Sequence, residues 1–142
     1  MKIKKEFKGN VGLFLVCAEL SKRNLIAMPT SRNTKGYDVI VLNPETNRSI
    51  GIQVKCSDRR EFPVFSSYWK NYKEKIDEKV ISPFVFADIS DINNPAYYVL
   101  TKDEVKSLME EKNKKKPELW ALKLSDVEKY KNNWNSIIDL LK

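Results

Sequence analysis

The chain has 142 residues, with 26 basic and 19 acidic side chains and a formal net charge of +7. Its length fits one domain over residues 1–142, and no apolar run approaches the ~20 residues of a membrane span, so we expect no membrane association. Histidine is absent, which excludes Ser-His-Asp triads, Cys-His dyads and His-ligated zinc; any catalysis must use carboxylates, amides, lysines or hydroxyls, with a metal held by oxygen. No secretory signal is recognisable, which indicates a cytoplasmic protein.

The first part of the chain predicts a helix followed by three strands. Residues 10–23 are apolar on nearly every side, which is typical of a largely buried helix. Apolar runs at 25–29, 37–42 and 49–55 predict strands. The sequence Asn-Pro-Glu-Thr-Asn at 43–47 has turn chemistry, so we expect the second and third strands to form a β-hairpin.

The rest of the chain predicts two more strands and several helices. After the hairpin we expect a loop with a short helix at 57–75 and strands at 83–88 and 96–100. A capping box at Thr101 and Glu104 predicts a helix, which a basic loop at 112–117 follows. A second capping-box spacing at 125–128 predicts a C-terminal helix, and an apolar helix face is formed by Trp134, Ile137, Ile138 and Leu141. This order predicts an α/β layered fold.

Three polar residues on the predicted hairpin can form a cation site. Gln53 and Lys55 are two residues apart on one strand and share a face, and pairing of the hairpin would bring Asp38 close to them. A carboxylate and an amide oxygen can both ligate Mg²⁺ or Mn²⁺, and the lysine can position a water and offset charge on a phosphate. In isolation, Gln-x-Lys on a strand is usually only a solvated face.

The order of these features resembles the PD-(D/E)xK nuclease superfamily. The resemblance rests on the helix, a basic loop, Gly36-Tyr37-Asp38, the hairpin and Ile52-Gln53-Val54-Lys55, and it extends loosely to the strand at 83–88. In that superfamily an Asp on one strand precedes Glu-x-Lys on the next, and Gln is a recurring variant of the Glu. The resemblance implies a restriction-endonuclease-like core (α-β-β-β-α-β) with a mixed central sheet flanked by helices, and a helical C-terminus.

The function implied by this resemblance is Mg²⁺-dependent hydrolysis of DNA phosphodiester bonds by an endonuclease. Asp38, Gln53 and Lys55 would be the catalytic residues. Asp38, Gln53 and the backbone carbonyl of Val54 would hold the metal, and Lys55 would position the attacking water. The shape of the substrate stays open among duplex, junction, flap and RNA, and the cutting of two strands would favour a homodimer.

One position departs from the superfamily. Many relatives carry a Gly-Glu pair on the first helix, whereas this chain has Gly12-Leu13. Either position 13 still faces the metal site and the acid was lost, or the helix is rotated and Leu13 belongs to the core. The retained glycine favours the first explanation. The missing acid also favours an alternative function, in which a catalytically decayed nuclease-like module binds nucleic acid or a protein partner without cutting.

The positive charge is concentrated in the first 75 residues, which hold 15 basic and 7 acidic side chains. Such a basic region favours a polyanionic partner, with DNA as the default, although a lysine-rich composition alone can produce the same balance. The side chains that we expect to contact nucleic acid flank the proposed site: Arg32, Lys35, Ser57, Arg59, Arg60, Lys70 and Lys73.

Overall fold

A long first helix, α1 (Lys5–Ser21), precedes the sheet in the computed structural model of the chain. The structure describes residues 2–31, 36–64, 76, 80–115 and 121–142. The helix begins five residues earlier than residue 10, where the apolar pattern predicts it. It ends before Asn24, whose φ of 62° lies in the left-handed region that commonly terminates helices.

Five strands form a mixed sheet, and all five coincide closely with predicted strands. Their bounds are β1 (Ile26–Pro29), β2 (Val39–Asn43), β3 (Arg48–Ser57), β5 (Phe84–Asp88) and β6 (Ala96–Leu100), with β4 (Glu61–Pro63) outside this sheet. The strand order is β1-β2-β3-β5-β6. Strands β1 to β3 pair antiparallel, β5 lies parallel to β3, and β6 is antiparallel to β5. The predicted hairpin is confirmed, with Val39 opposite Ile52.

A second, two-stranded sheet pairs β4 with β7 (Ala121–Lys123), and the sequence patterns did not predict it. These strands have three residues each, which is too short for a recognisable alternation. The side chains of Phe62 and Leu122 face each other at its centre, and both are fully buried. Long-range burial therefore stabilises this pair where local propensity does not.

Helix α2 (Lys102–Lys115) starts where the capping box predicts. The Thr101 N–H donates to the Glu104 carboxylate at 3.0 Å, and the Glu104 N–H donates to the Thr101 hydroxyl at 3.2 Å. The predicted loop at 112–117 is wrong for residues 112–115, which are helical. Asn113 is buried there and donates from its amide to the Met109 carbonyl, so packing continues the helix through a lysine-rich stretch.

The C-terminal region consists of short helices. The second capping-box prediction was wrong by two residues: α3 (Leu124–Val127) begins after Lys123, and the Asp126 carboxylate accepts the Lys123 N–H at 2.7 Å. Helix α4 (Asn135–Ile138) lies between two 3₁₀ turns, Glu128–Tyr130 and Asp139–Leu141. Trp134, Ile137 and Leu141 are buried and Ile138 is half-buried, which confirms the predicted apolar face.

Each face of the sheet has its own apolar cluster. The first cluster joins α1 to the sheet and to the C-terminal residues, and we call its side the α1 face. The second cluster joins β5 and β6 to α2 and to the small sheet on the opposite face. The chain is therefore an α/β protein with a mixed sheet and several helices.

Of the predicted segment at 57–75, residues 65–75 lie outside the described part of the chain.

Among the residues that the structure describes, no helix combines the length and apolar character needed to cross a bilayer.

Candidate metal centre

Strand β3 presents different chemistry on its two sides. Val54 and Cys56 pair with Val85 and Ala87, which belong to the α1-face cluster. The alternate residues point to the opposite face because successive strand side chains alternate. Gln53 and Lys55 therefore share the face of their β5 partners, Phe84 and Phe86. The two residues predicted to share a face do so.

Asp38 lies where the β2–β3 ladder ends, one residue before Val39. Its N–H donates to the Ile52 carbonyl at 2.9 Å, and its Oδ2 accepts the Val54 N–H at 2.8 Å. The Asp38 carboxylate therefore bonds to the backbone of β3 just beyond the point where the backbone of β2 stops pairing with β3. Since the N–H and C=O of one strand residue point to the same edge, the Val54 carbonyl is directed to this side as well.

Gln53 connects this region to the turn that precedes Asp38. Its amide nitrogen donates to the Gly36 carbonyl at 2.5 Å. Gly36 has a φ of 94°, and a Cβ there would lie 3.1 Å from the Ile81 Cδ1, so both the conformation and the space favour glycine. Because the nitrogen is used in this bond, the amide oxygen of Gln53 is the atom left to face a cation.

Lys55 is half-buried on the same face. Burial lowers the pKa of its ammonium group from the usual lysine value, and the negative charge of Asp38 partly opposes that effect. This electrostatic coupling indicates that the lysine and the carboxylate are near one another. The chain thus holds a cationic group in a partly desolvated position beside a carboxylate, where its charge acts more strongly than in water.

The donor atoms fit a hard divalent cation. One carboxylate, one amide oxygen and one backbone carbonyl are the kinds of ligand that Mg²⁺ and Mn²⁺ accept, with waters completing the coordination. Asp38 is the one carboxylate in this donor set, so the negative charge that these described residues offer a cation is low. Within the described ranges, no group of three or more Cys, Asp and Glu side chains is arranged to hold a metal, so a cation here would depend on the mixed donor set.

The predicted nucleic-acid contacts fall into three groups. Arg59 and Arg60 are exposed just beyond β3. Ser57 is only 9% exposed, and its hydroxyl accepts the Arg59 N–H at 3.0 Å, so its position suits a local turn better than a phosphate contact. The remaining four, Arg32, Lys35, Lys70 and Lys73, lie outside the described residues.

Two clefts open near the carboxyl end of β3. One, of about 520 Å³, is lined in part by Lys5, Lys8 and Arg59, and the other, of about 470 Å³, by residues 89–93 with neighbouring side chains. Asp38, Gln53 and Lys55 line neither cleft. Among the described residues, the candidate metal centre therefore lies outside both of these clefts.

The glycine before Leu13 has a packing role. A Cβ on Gly12 would lie 2.4 Å from the Cys56 Cβ, so α1 can approach β3 this closely only with glycine. Leu13 is half-buried and packs against the α1-face cluster, whereas Gln53 and Lys55 lie on the other face. The expectation that position 13 faces the metal site is therefore wrong, and the explanation that places Leu13 in the core is supported.

Glu19, an acid near the end of α1, is engaged in ion pairs. Its carboxylate contacts Lys22 at 2.7 Å and Arg23 at 2.8 Å. The Arg23 guanidinium also lies 4.6 Å from the centre of the Trp134 ring. These contacts give Glu19 a structural role in joining α1 to the C-terminal region.

Thr30 is a residue near the site that the sequence patterns did not single out. Its hydroxyl donates to the Tyr37 carbonyl at 2.7 Å, and its N–H donates to the Asp38 carbonyl at 2.9 Å. A threonine at the end of a short strand carries no distinctive local signal, so only the pairing of β1 with β2 reveals this role.

No family model, no curated protein and no solved structure matches the chain.

Proposed function

We propose that the chain is a Mg²⁺-dependent nuclease that hydrolyses phosphodiester bonds in DNA. The observations that carry the proposal are that Gln53 and Lys55 share one face of the sheet and that the Asp38 carboxylate accepts the N–H of Val54, the residue between them. An acid, an amide oxygen and a half-buried ammonium are complementary to a divalent cation and a phosphate.

The arrangement of the strands adds support. Helix α1 is followed by three antiparallel strands and then by β5, which runs parallel to β3. This strand order is compatible with the restriction-endonuclease-like core that the sequence resemblance implies, in which an Asp on one strand precedes Glu-x-Lys, or its Gln variant, on the next. The helix that this core places between its third and fourth strands would fall on residues outside the described part of the chain. We therefore include that topology in the proposal.

Each residue has a separate task in the proposed reaction. A bound divalent cation supplies charge stabilisation when a water attacks the phosphate. The Oδ1 of Asp38 and the amide oxygen of Gln53 would bind that cation, while the Val54 N–H holds the Oδ2 of Asp38 in place. Lys55 orients the attacking water and offsets the negative charge that develops on the phosphate. Arg59 and Arg60 are exposed and available to bind neighbouring phosphates.

The test is a cleavage assay on linear, junction and flap DNA, with Mg²⁺ or with EDTA. We expect Mg²⁺-dependent cutting that Asp38→Asn abolishes, because the amide removes the negative charge of the proposed carboxylate ligand. The matched control is Asp139→Asn, which changes an exposed acid paired with Lys142 and should retain full activity. Circular dichroism of both variants checks that the fold is intact.

The outcomes separate the candidate functions. Cleavage that survives Asp38→Asn would show that the reaction uses another site and would overturn the proposal. Binding of DNA without cutting under every metal condition would favour the decayed module instead. The neutral Gln53 and the core position of Leu13 are the observations that make this second function worth testing.

A further inference from the structure

The segment that delivers Asp38 to the candidate centre is held through three successive backbone carbonyls. The Gly36 carbonyl accepts the Gln53 amide, the Tyr37 carbonyl accepts the Thr30 hydroxyl at 2.7 Å, and the Asp38 carbonyl accepts the Thr30 N–H at 2.9 Å. Two of these three bonds come from one residue. The Thr30 hydroxyl also lies 3.3 Å from the Asp38 carbonyl, so it spans both peptide groups.

Thr30 acts at the point where regular pairing ends. The β1–β2 ladder finishes with Pro29 opposite Val39, and proline has no N–H to donate. The next residue, Thr30, supplies both a backbone and a side-chain donor to the segment before Val39. Thr30 thus supplies two of the bonds that hold the backbone of Tyr37 and Asp38 on the β1 side.

We propose that Thr30 is a positioning residue that fixes the Asp38 carboxylate for binding a divalent cation. This inference rests on the proposed function of the same site. Thr30 acts through the backbone: its hydroxyl sets the Tyr37 peptide, which sets the direction from which the Asp38 side chain meets the Val54 N–H. Residues that orient metal ligands typically change metal affinity or activity 10–100-fold when they are replaced, as a rough guide.

The experiment compares Thr30→Val with a control that loses a similar bond elsewhere. Thr46 donates from its hydroxyl to the Leu141 carbonyl at 2.6 Å in a bond that is likewise part-buried, so Thr46→Val removes a hydroxyl–carbonyl bond outside the candidate centre. Thermal unfolding and Mn²⁺ binding, followed by calorimetry or electron paramagnetic resonance, are measured for both. Thr30→Ser, which retains the hydroxyl, is the conservative variant.

We expect Thr30→Val to weaken Mn²⁺ binding about tenfold or more, and Thr46→Val to leave it unchanged, although both lower the unfolding temperature. Thr30→Ser should restore binding. Wild-type Mn²⁺ affinity in Thr30→Val, or failure of the serine to restore binding, would overturn the inference.

Failure of the positioning role is distinguishable from failure of the proposed function. If Mn²⁺ binding depends on Asp38 and on Thr30 but no DNA is cut, hydrolysis is refuted and the positioning role stands. If DNA is cut through Asp38 while Thr30→Val binds Mn²⁺ normally, only the positioning role is refuted. A wild-type chain that binds no Mn²⁺ overturns both.

Discussion

The two faces of the central sheet differ most on a single strand. On the α1 face, β3 contributes Ile52, Val54 and Cys56 to an apolar cluster that α1 covers. On the other face, the same strand carries Gln53 and Lys55, which neighbour buried phenylalanines on β5. One strand therefore supplies both the support for the fold and the polar groups of the candidate centre.

The difference shows why the candidate centre lies where it does. The α1 face requires close packing, as the contact between Gly12 and Cys56 shows, and it leaves little room for a ligand. The opposite face is covered over β5 and β6 by α2 and the small sheet. Towards β1 it is less covered: Ile26 and Met28 are 45% and 44% exposed. Polar groups at the border between these regions can be partly desolvated and still be reached by a substrate.

The largest expected effect comes from placing a charge on the α1 face. Leu13→Glu should lower the free energy of unfolding by about 2–3 kcal/mol, because a carboxylate replaces a packed leucine without a partner. Thermal unfolding with and without Mg²⁺ measures this loss. The control is Phe14→Glu, which changes a side chain 61% exposed on the same helix and should have little effect.

If Mg²⁺ restored the thermal stability of the Leu13→Glu variant, this would contradict the assignment of position 13 to the face opposite the candidate centre. It would mean that position 13 reaches the cation after all, as the resemblance to the nuclease superfamily first suggested.

A smaller effect is expected from adding one methyl group at the closest contact of the α1 face. Gly12→Ala should destabilise the protein by about 1–3 kcal/mol, since the new Cβ would overlap Cys56 and force α1 away from β3. Gly9→Ala is the matched control on the same helix: no atom lies within 4 Å of its added Cβ. That control should be stabilising by up to about 1 kcal/mol through helix propensity. Chemical denaturation of the two variants gives the comparison, and equal effects would show that the contact with Cys56 is unimportant.

The smallest effect on stability is expected from replacing Lys55, and this effect depends on pH. Burial lowers the pKa of Lys55 in the folded protein, so the unfolded chain binds its proton more tightly. The free energy of unfolding of the wild type therefore increases as the pH rises from the lowered pKa of Lys55 in the folded protein towards the ordinary lysine value of about 10.4. Lys55→Met should be modestly more stable than wild type at neutral pH, lose that advantage in alkali, and have no nuclease activity.

Unfolding curves of wild type and Lys55→Met across this pH range test the sign. Lys102→Met, which replaces an exposed lysine at the start of α2, is the matched control for the loss of a lysine. A Lys55→Met variant that is less stable than wild type at neutral pH would show that the lysine stabilises the fold and is not held at a cost for function.

Much of the candidate centre was predictable because its geometry is local. The turn at 43–47 fixes the register of the hairpin, and a period of two places Gln53 and Lys55 on one face. The orientation of α1 was not predictable in this way, because a helix that is apolar on nearly every side has no preferred face. Only a residue without a Cβ fits where α1 lies closest to Cys56, so Gly12 occupies that contact and the adjacent Leu13 packs into the core.

The sequence by itself determined the five strands of the main sheet, the start of α2 and the pairing that brings Asp38 to Gln53 and Lys55. Turn chemistry, capping and alternation act between residues close in the chain, so they can be read without a fold. Only the tertiary structure decided the pairing of β4 with β7, the core position of Leu13 and the bonds from Thr30 to the segment before Val39. Each of these joins elements distant in sequence or selects one face among several, and such choices are made by packing and by the need to satisfy buried backbone groups.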